Sequence, residues 1–312
     1  MVTALTVTNY VGESIRFDLM DPDTSGFVIA NITGITPVQA NINITNVTTA
    51  DGGVYNSARI DRRNIVITAI YLPGPTIEEA RHKMYKYFPT KKKVQLVFET
   101  DTRKLRTEGY VESNEVQVFT RQEYSQISII CPDPYFYSAE DDGADVLSFS
   151  GIEPRFEFPF YSDESVDPEE LIEFSTVEVV NGRVLSYSGD IEIGATINVR
   201  IFDNIGNITI TNVSNTQSMT IVADRVADIA GETFRGGDLL TIVTKKGEKT
   251  IILTRGSNRY NLLNALERKS KWITIRRGDN IFTVLAEDPD DSTVYSTNIT
   301  VSIIADIAYE GV

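Results

Sequence analysis

The chain has 312 residues, enough for two domains that each bury a core, and with 41% hydrophobic and 23% charged residues wholesale disorder is excluded. Asp and Glu number 44 against 29 Lys and Arg, a net charge of −15, which argues against binding nucleic acid by counterion release. A single cysteine, Cys131, excludes an intrachain disulfide and a thiolate zinc site.

The N-terminal "MVTALTVTNYVGES" alternates and lacks a basic segment followed by an apolar one, so no signal peptide is expected. Leu5 and Val7, then Ile15, Phe17 and Leu19, then Ile42 and Ile44 recur with the period of two that marks strands. "NIVITAIYL" is denser, as suits a strand covered on both faces, yet too short to span a bilayer. A soluble protein made in a reducing cytosol is the expectation. "PTIEEARHKMYKYFP" breaks the pattern and predicts a helix over 76–88, with Thr76 and Glu79 as a capping box after Pro75. Ile77, Ala80, Met84 and Tyr87 or Phe88 form its apolar stripe, and Pro89 stops it. "KVQLVFET", "NEVQVF" and "SQISIIC" resume the strands.

In "CPDPYFYS", Cys131 ends the Ile127, Ile129, Cys131 stripe, and Pro132 and Pro134 keep the ladder from extending. The acidic break "YSAEDDGADVLS" then separates an N-terminal β-sandwich domain, 1–138, from a second domain, 139–312. From "RFEFPF" and "TVEVVNGRVLSYSG" to "STNITVSIIADIAYEGV" the second half reads as a nearly pure jelly-roll sandwich. The segments 245–248 (KKGE) and 278–280 (GDN) look like hairpin turns, and "YNLLNALERK" like a short helix.

Chemical motifs are sparse. The only histidine, His82, sits mid-helix, so a Cys131–His82 pair competes with a plainer reading of a helix-surface imidazole and a core thiol. The acidic turns "AEDPDDST" and "EDDGAD" lack calcium-loop spacing. Arg277-Gly278-Asp279 is ordinary turn chemistry, and the six Asn-x-Ser/Thr sequons reflect polar strand faces. Scattered acids such as Glu153, Glu157 and Asp163 form no acid–base signature, and neither catalysis nor a cofactor is expected. Trp272 shares the polar face of "KWITIRR" with Thr274 and Arg276, where it is open to stacking on a sugar ring or to partial burial at the sandwich edge.

"ITGITPVQANI" (32–42), "DGGVYNSARIDRRNIVI" (51–67), the helix and "SQISIICPDPYFYS" follow one another in an order that resembles the N-terminal domain of the distal tail (Dit) proteins of long-tailed phages. "GGDLLTIVTKKGEKTIIL", "WITIRRGDNIF" and the closing "YEGV" resemble the partner domain of that family, so the likeness covers nearly the whole chain. The resemblance implies a mainly β protein: a ring-forming N-terminal sandwich bearing one helix, then a galectin-like sandwich. It implies a virion structural protein, without enzymatic activity, at the baseplate end of the tail and synthesised in the host cytoplasm. A homohexameric ring would meet the tail tube, the tape-measure protein, a tail-associated tip protein and a receptor-binding protein. DNA would only pass through the channel, whose six chains would carry roughly −90 in charge, and no membrane insertion is implied. The alternative is a host cell-wall carbohydrate-binding module using Trp272.

Physics suggests tasks for the recognised pieces. Gly52 and Gly53 suit a tight turn with positive φ. Arg59, Arg62 and Arg63, just before a buried strand, are placed to pair with carboxylates of the same or a neighbouring subunit. A closed ring needs two different sticky surfaces on each chain, and "GFVIANITG" and the loop around "YVESNEV" are the candidates.

Overall fold

The structure, a computed structural model, describes residues 1–46, 51–72, 76–120, 122–140, 143–150, 152–154, 175–177 and 182–312. Pro75, Asp141, Asp142, Glu157 and Asp163 lie outside the described residues, as does the side chain of Glu153. Two compact units divide the chain: Met1–Gly143 together with Ile307–Val312, and Ala144–Asp306. The sequence placed a single boundary at 138/139; the chain instead leaves the first unit after Gly143 and returns to it for its last six residues.

In chain order the first unit has β1 (Val2–Thr8), β2 (Ser14–Asp18), β3 (Phe27–Thr33), β4 (Ala40–Asn46), β5 (Gly53–Ile60) and β6 (Arg63–Tyr71). Helix α1 (Ile77–Tyr87), β7 (Lys93–Thr100), β8 (Lys104–Gln117), β9 (Tyr124–Cys131) and β10 (Phe136–Ser138) follow. The second unit begins with β11 (Ala144–Ser150), β12 (Ile152–Pro154), β13 (Ser175–Val177), β14 (Arg183–Tyr187), β15 (Ile193–Gly194) and β16 (Thr196–Ile201). It continues with β17 (Ile208–Asn212), β18 (Gln217–Ile221), α2 (Ala223–Ala230), β19 (Leu239–Val243) and β20 (Thr250–Arg255). It closes with β21 (Asn258–Asn261), β22 (Thr274–Ile275), β23 (Gly278–Glu287), β24 (Tyr295–Ser296) and β25 (Ile299–Asp306). The returning β26 (Ala308–Tyr309) pairs with β10.

The first unit has a main antiparallel sheet in the order β2-β1-β7-β8-β9-β6-β3, with β10 and β26 joined to it through β8, and a separate two-stranded ribbon, β4-β5. The long β8 turns the main sheet around the core. Its residues Lys104–Tyr110 pair with β7, and Tyr110–Gln117 pair with β9 across a bulge between Val111 and Ser113. "YVESNEV" is therefore strand rather than loop. Both faces of this sandwich thus belong to one continuous sheet. Alternation puts Leu5, Val7, Ile65, Ile67, Leu96, Phe98, Ile127 and Ile129 inside, and α1 adds Met84 and Phe88. Thr76 caps α1 by accepting from the Glu79 N–H at 3.2 Å, as the sequence implies.

The second unit is a two-sheet sandwich, one sheet ordered β11-β25-β16-β19-β20-β21 and the other β14-β23-β17-β18. Ile197, Val199, Leu240, Ile242 and Leu253 from one sheet meet Ile208, Ile210, Met219 and Phe282 from the other. Arg255 and Asp238 form a buried ion pair at 2.6 Å. The 245–248 turn does close the β19–β20 hairpin. The 278–280 segment closes no hairpin, because β22 pairs with β15 while β23 pairs with β14 and β17. Asn280 holds that bend, its amide donating to the Arg276 and Gly278 carbonyls at 2.7 and 2.9 Å. "YNLLNALERK" supplies β21 and one short turn of 3-10 helix, whereas the true helix, α2, follows β18 directly. Gly231 ends it with φ +83°.

Candidate interaction surfaces

Arg63 is the first residue of β6, on the inward register shared with Ile65, Ile67 and Ala69, so alternation sends its guanidinium into the core. It is 1% exposed and pairs across the strands with Cys131. Its expected partners were carboxylates; the structure gives it backbone carbonyls instead. Nε donates to the Pro134 carbonyl at 2.6 Å, and Nη1 donates to those of Gly34 at 2.5 Å and Thr36 at 2.7 Å. Nη2 donates to the Glu310 carbonyl at 2.6 Å, and the guanidinium lies 4.4 Å from the Phe136 ring centroid. Burial pushes its pKa down, against the fields of Cys131 and Asp133. One side chain thereby fastens the loop after β3, the exit from β9 and the C-terminal segment, where Val312 N–H also donates to the Ile35 carbonyl at 3.0 Å. Pro134 contributes through its carbonyl as well as through its ring.

Cys131 is fully buried, and that burial pushes its thiol up to about 11, against the pull of Thr107 and Arg63. His82 is exposed on α1 beside Tyr85, so the two groups of the conceivable Cys–His pair face different surroundings. In native protein at pH 8 the thiol is expected to resist a disulfide-exchange reagent and to react with one equivalent only after denaturation. Rapid reaction in the native state would contradict this reading. Cys131→Ala and Cys131→Val are expected to leave self-association unchanged.

Arg59 and Arg62 stay in solvent, Arg59 beside Asp61 at 3.4 Å. Gly52 has φ +93°, as the tight turn requires. Gly53 instead begins β5, where a Cβ would collide with Ile44 across the ladder. The β4–β5 ribbon carries a cluster of exposed apolar side chains. Register pairs Ile42 with Ala58 and Ile44 with Tyr55, and a bulge after Asn43 keeps these four on one face. Ile42 is 60% exposed, Ile44 53% and Tyr55 63%. A two-stranded ribbon with a bare apolar face is marginal in water unless something covers it. Elsewhere on the ribbon Asn41 is bonded to Asp61 and Asn56 to Thr45, while Val54, opposite Thr45, is 56% exposed. Of the two expected sticky segments, "GFVIANITG" forms β3 at the open edge of the sheet, and "YVESNEV" lies within β8 rather than in a loop. An exposed tip follows β8, where Phe119 is wholly exposed next to Val118.

Trp272 is half-buried against the core of the second unit, with the Lys249 ammonium 5.1 Å from its ring centroid. Arg277 and Asp279 of the tripeptide are both engaged, Arg277 with Asp190 at 3.3 Å and Asp279 with the Ser186 hydroxyl at 2.9 Å. In the acidic turn Asp288 accepts from the N–H groups of Asp290 and Asp291. No group of three or more His, Cys, Asp or Glu among the described residues is placed to hold a metal ion, and no helix there is long and apolar enough to cross a membrane.

No protein-family model and no curated protein matches the chain. Among solved structures, the Dit protein of phage SPP1, described as a paradigm of the hub adsorption apparatus in phages infecting Gram-positive bacteria, matches 96% of this chain and 98% of its own. The TM-score is 0.60 at 13% identity. The chain has the Dit fold. The phage P2 baseplate in its activated conformation with Ca matches 98% of this chain and 100% of its own chain, with TM-score 0.46 and 13% identity. The same baseplate with Sr matches 97% and 99%, with TM-score 0.46 and 12% identity. The SPP1 match, at 96% of this chain, takes in both units. At 13% identity the likeness is one of fold rather than of shared side chains.

Proposed function

We propose that the protein is a structural component of a phage tail tip, a hub that self-associates into a homohexameric ring at the distal end of the tail. The observation that carries the ring is the bare apolar face of the β4–β5 ribbon on a Dit fold. A ring interface is heterologous, so the ribbon of one copy needs a different surface on the next, and the β8–β9 tip at Phe119 is a second candidate. In this reading the first unit builds the ring between tail tube and tip, next to the tape-measure and tail-associated tip proteins. The second unit is left to engage a receptor-binding protein. The ring's acidic sum disfavours retention of passing DNA. Gold-labelled antibody against the second unit is expected to mark the distal tail end of virions; labelling of the capsid, or along the tube, would overturn the proposal. The carbohydrate-binding alternative through Trp272 has weaker support, because the indole packs on the core and already carries Lys249 on its ring.

A further inference from the structure

Charge in the second unit is strongly segregated. Residues 245–277 contain ten Lys and Arg against two Asp and Glu, a net +8, whereas the rest of that unit has five basic and 23 acidic residues, a net −18. The fold concentrates the positive stretch along one edge of the sandwich. The tip of the β19–β20 hairpin presents Lys246 and Lys249. The segment after β21 runs beside β18, where Leu266 bridges Ile221, Glu267 N–H donates to the Thr220 carbonyl at 2.9 Å, and Lys271 N–H donates to that of Ser218 at 2.8 Å. Hairpin and segment meet at Trp272, under the Lys249 ammonium.

Four of the ten cations are occupied. Arg255 is paired with buried Asp238, Lys245 with Asp306 at 2.5 Å, Arg277 with Asp190, and Arg276 donates to the Ser214 carbonyl. Lys246, Lys249, Arg259, Arg268, Lys269 and Lys271 are exposed, and none forms an ion pair with a carboxylate among the described residues. The two acids of the stretch are Glu248 at the hairpin tip and Glu267, half-buried.

We propose that this edge binds a linear, flexible polyanion whose charge is carried on phosphodiester groups, a cell-wall polymer of the poly(polyol phosphate) kind. Lysine ammonium groups, which predominate here, are hydrated point charges that bind phosphate without a fixed bidentate geometry and so suit a chain of mobile anionic groups. An acidic protein surface would be better met by arginines around an apolar centre. The Trp272 ring is already covered by a cation and Tyr260 packs against the core, which disfavours stacking of bases or sugars. A thin flexible chain follows a narrow strip, whereas a rigid duplex projects its charge over the acidic remainder of the unit, a net −10 among its described side chains. The inference does not rest on the ring, since the strip is complete within one chain.

The test is binding of deacylated poly(glycerol phosphate) to the full-length protein by biolayer interferometry at two salt concentrations. About four phosphate contacts should weaken binding by roughly 50-fold between 50 and 200 mM salt. Lys246→Glu/Lys269→Glu/Lys271→Glu is expected to lose binding by at least ~10-fold with an unchanged melting temperature, and the corresponding Gln variant to fall between it and the parent. Absence of binding by the parent at 50 mM salt, or unchanged binding by both variants, would overturn the proposal. So would equal binding of duplex DNA or of polyglutamate, which would assign the strip to nucleic acid or to an acidic protein.

Discussion

Ile42→Asp/Ile44→Asp/Tyr55→Asp is expected to yield a folded monomer of about 34.8 kDa. All three side chains are more than half exposed and on one face of the β4–β5 ribbon, so their replacement removes nothing from the buried core. Covering three such side chains in a subunit interface supplies about 3–5 kcal/mol, the roughly 1.5–3 kcal/mol of full burial scaled by the fraction of each that is exposed. Losing that, and placing carboxylates where the neighbour's apolar surface must be, should weaken each contact by a factor of at least ~10³. Sedimentation velocity and circular dichroism distinguish the outcomes. An assembled triple variant would remove the ribbon from the interface, and an unfolded one would mean that the ribbon faces its own core.

The largest stability effect is expected at Arg63. Arg63→Met preserves the apolar stem but leaves four part-buried carbonyls without their donor, and an unmet hydrogen-bonding group costs about 1–3 kcal/mol when fully buried and less where water reaches it, as at Thr36 and Glu310. Relaxation and the second lone pair of each carbonyl reduce the sum, which still reaches several kcal/mol in a fold whose total stability is of order 5–15 kcal/mol. At roughly 2–4 °C per kcal/mol for a unit of this size, the melting temperature should fall by about 10 °C or more. Arg63→Lys should recover only part of this, because one ammonium does not reach carbonyls arranged around a planar fork. Deleting Ile307–Val312 should destabilise the same unit, since it removes the Glu310 acceptor, β26 and the Val312–Ile35 bond together. A shift below 2 °C for Arg63→Met would show that the guanidinium is not what fastens these segments.

Much of the architecture is legible in the chain because alternation is a local signal. The stripes Ile65, Ile67, Ala69 and Ile127, Ile129, Cys131 are inside as their period requires, and Thr76 and Pro89 bound the helix. Other features depend on partners that sequence does not display. Arg63 was recognisable as a notable arginine, but its acceptors are backbone carbonyls from segments far apart in the chain, which carry no side-chain signature. Ile42 and Ile44 alternate like core residues, and periodicity does not reveal that both stay more than half exposed. Helix α2 was hidden because "SMTIVADRV" begins as a strand and the helix spans only about two turns; the usable signal was Gly231 just after Ala223, Val226 and Ile229. The basic edge was masked by averaging: a chain-wide charge of −15 conceals a stretch of +8 that a windowed count reveals.

The central claim is self-association through the first unit. Sedimentation equilibrium of the full-length chain over a hundredfold concentration range tests it most directly. Six copies of 34.8 kDa, about 209 kDa, is the expected limiting mass at the upper concentrations. A folded chain that stays at the monomer mass throughout that range, with Ile42, Ile44 and Tyr55 in solvent, would contradict it.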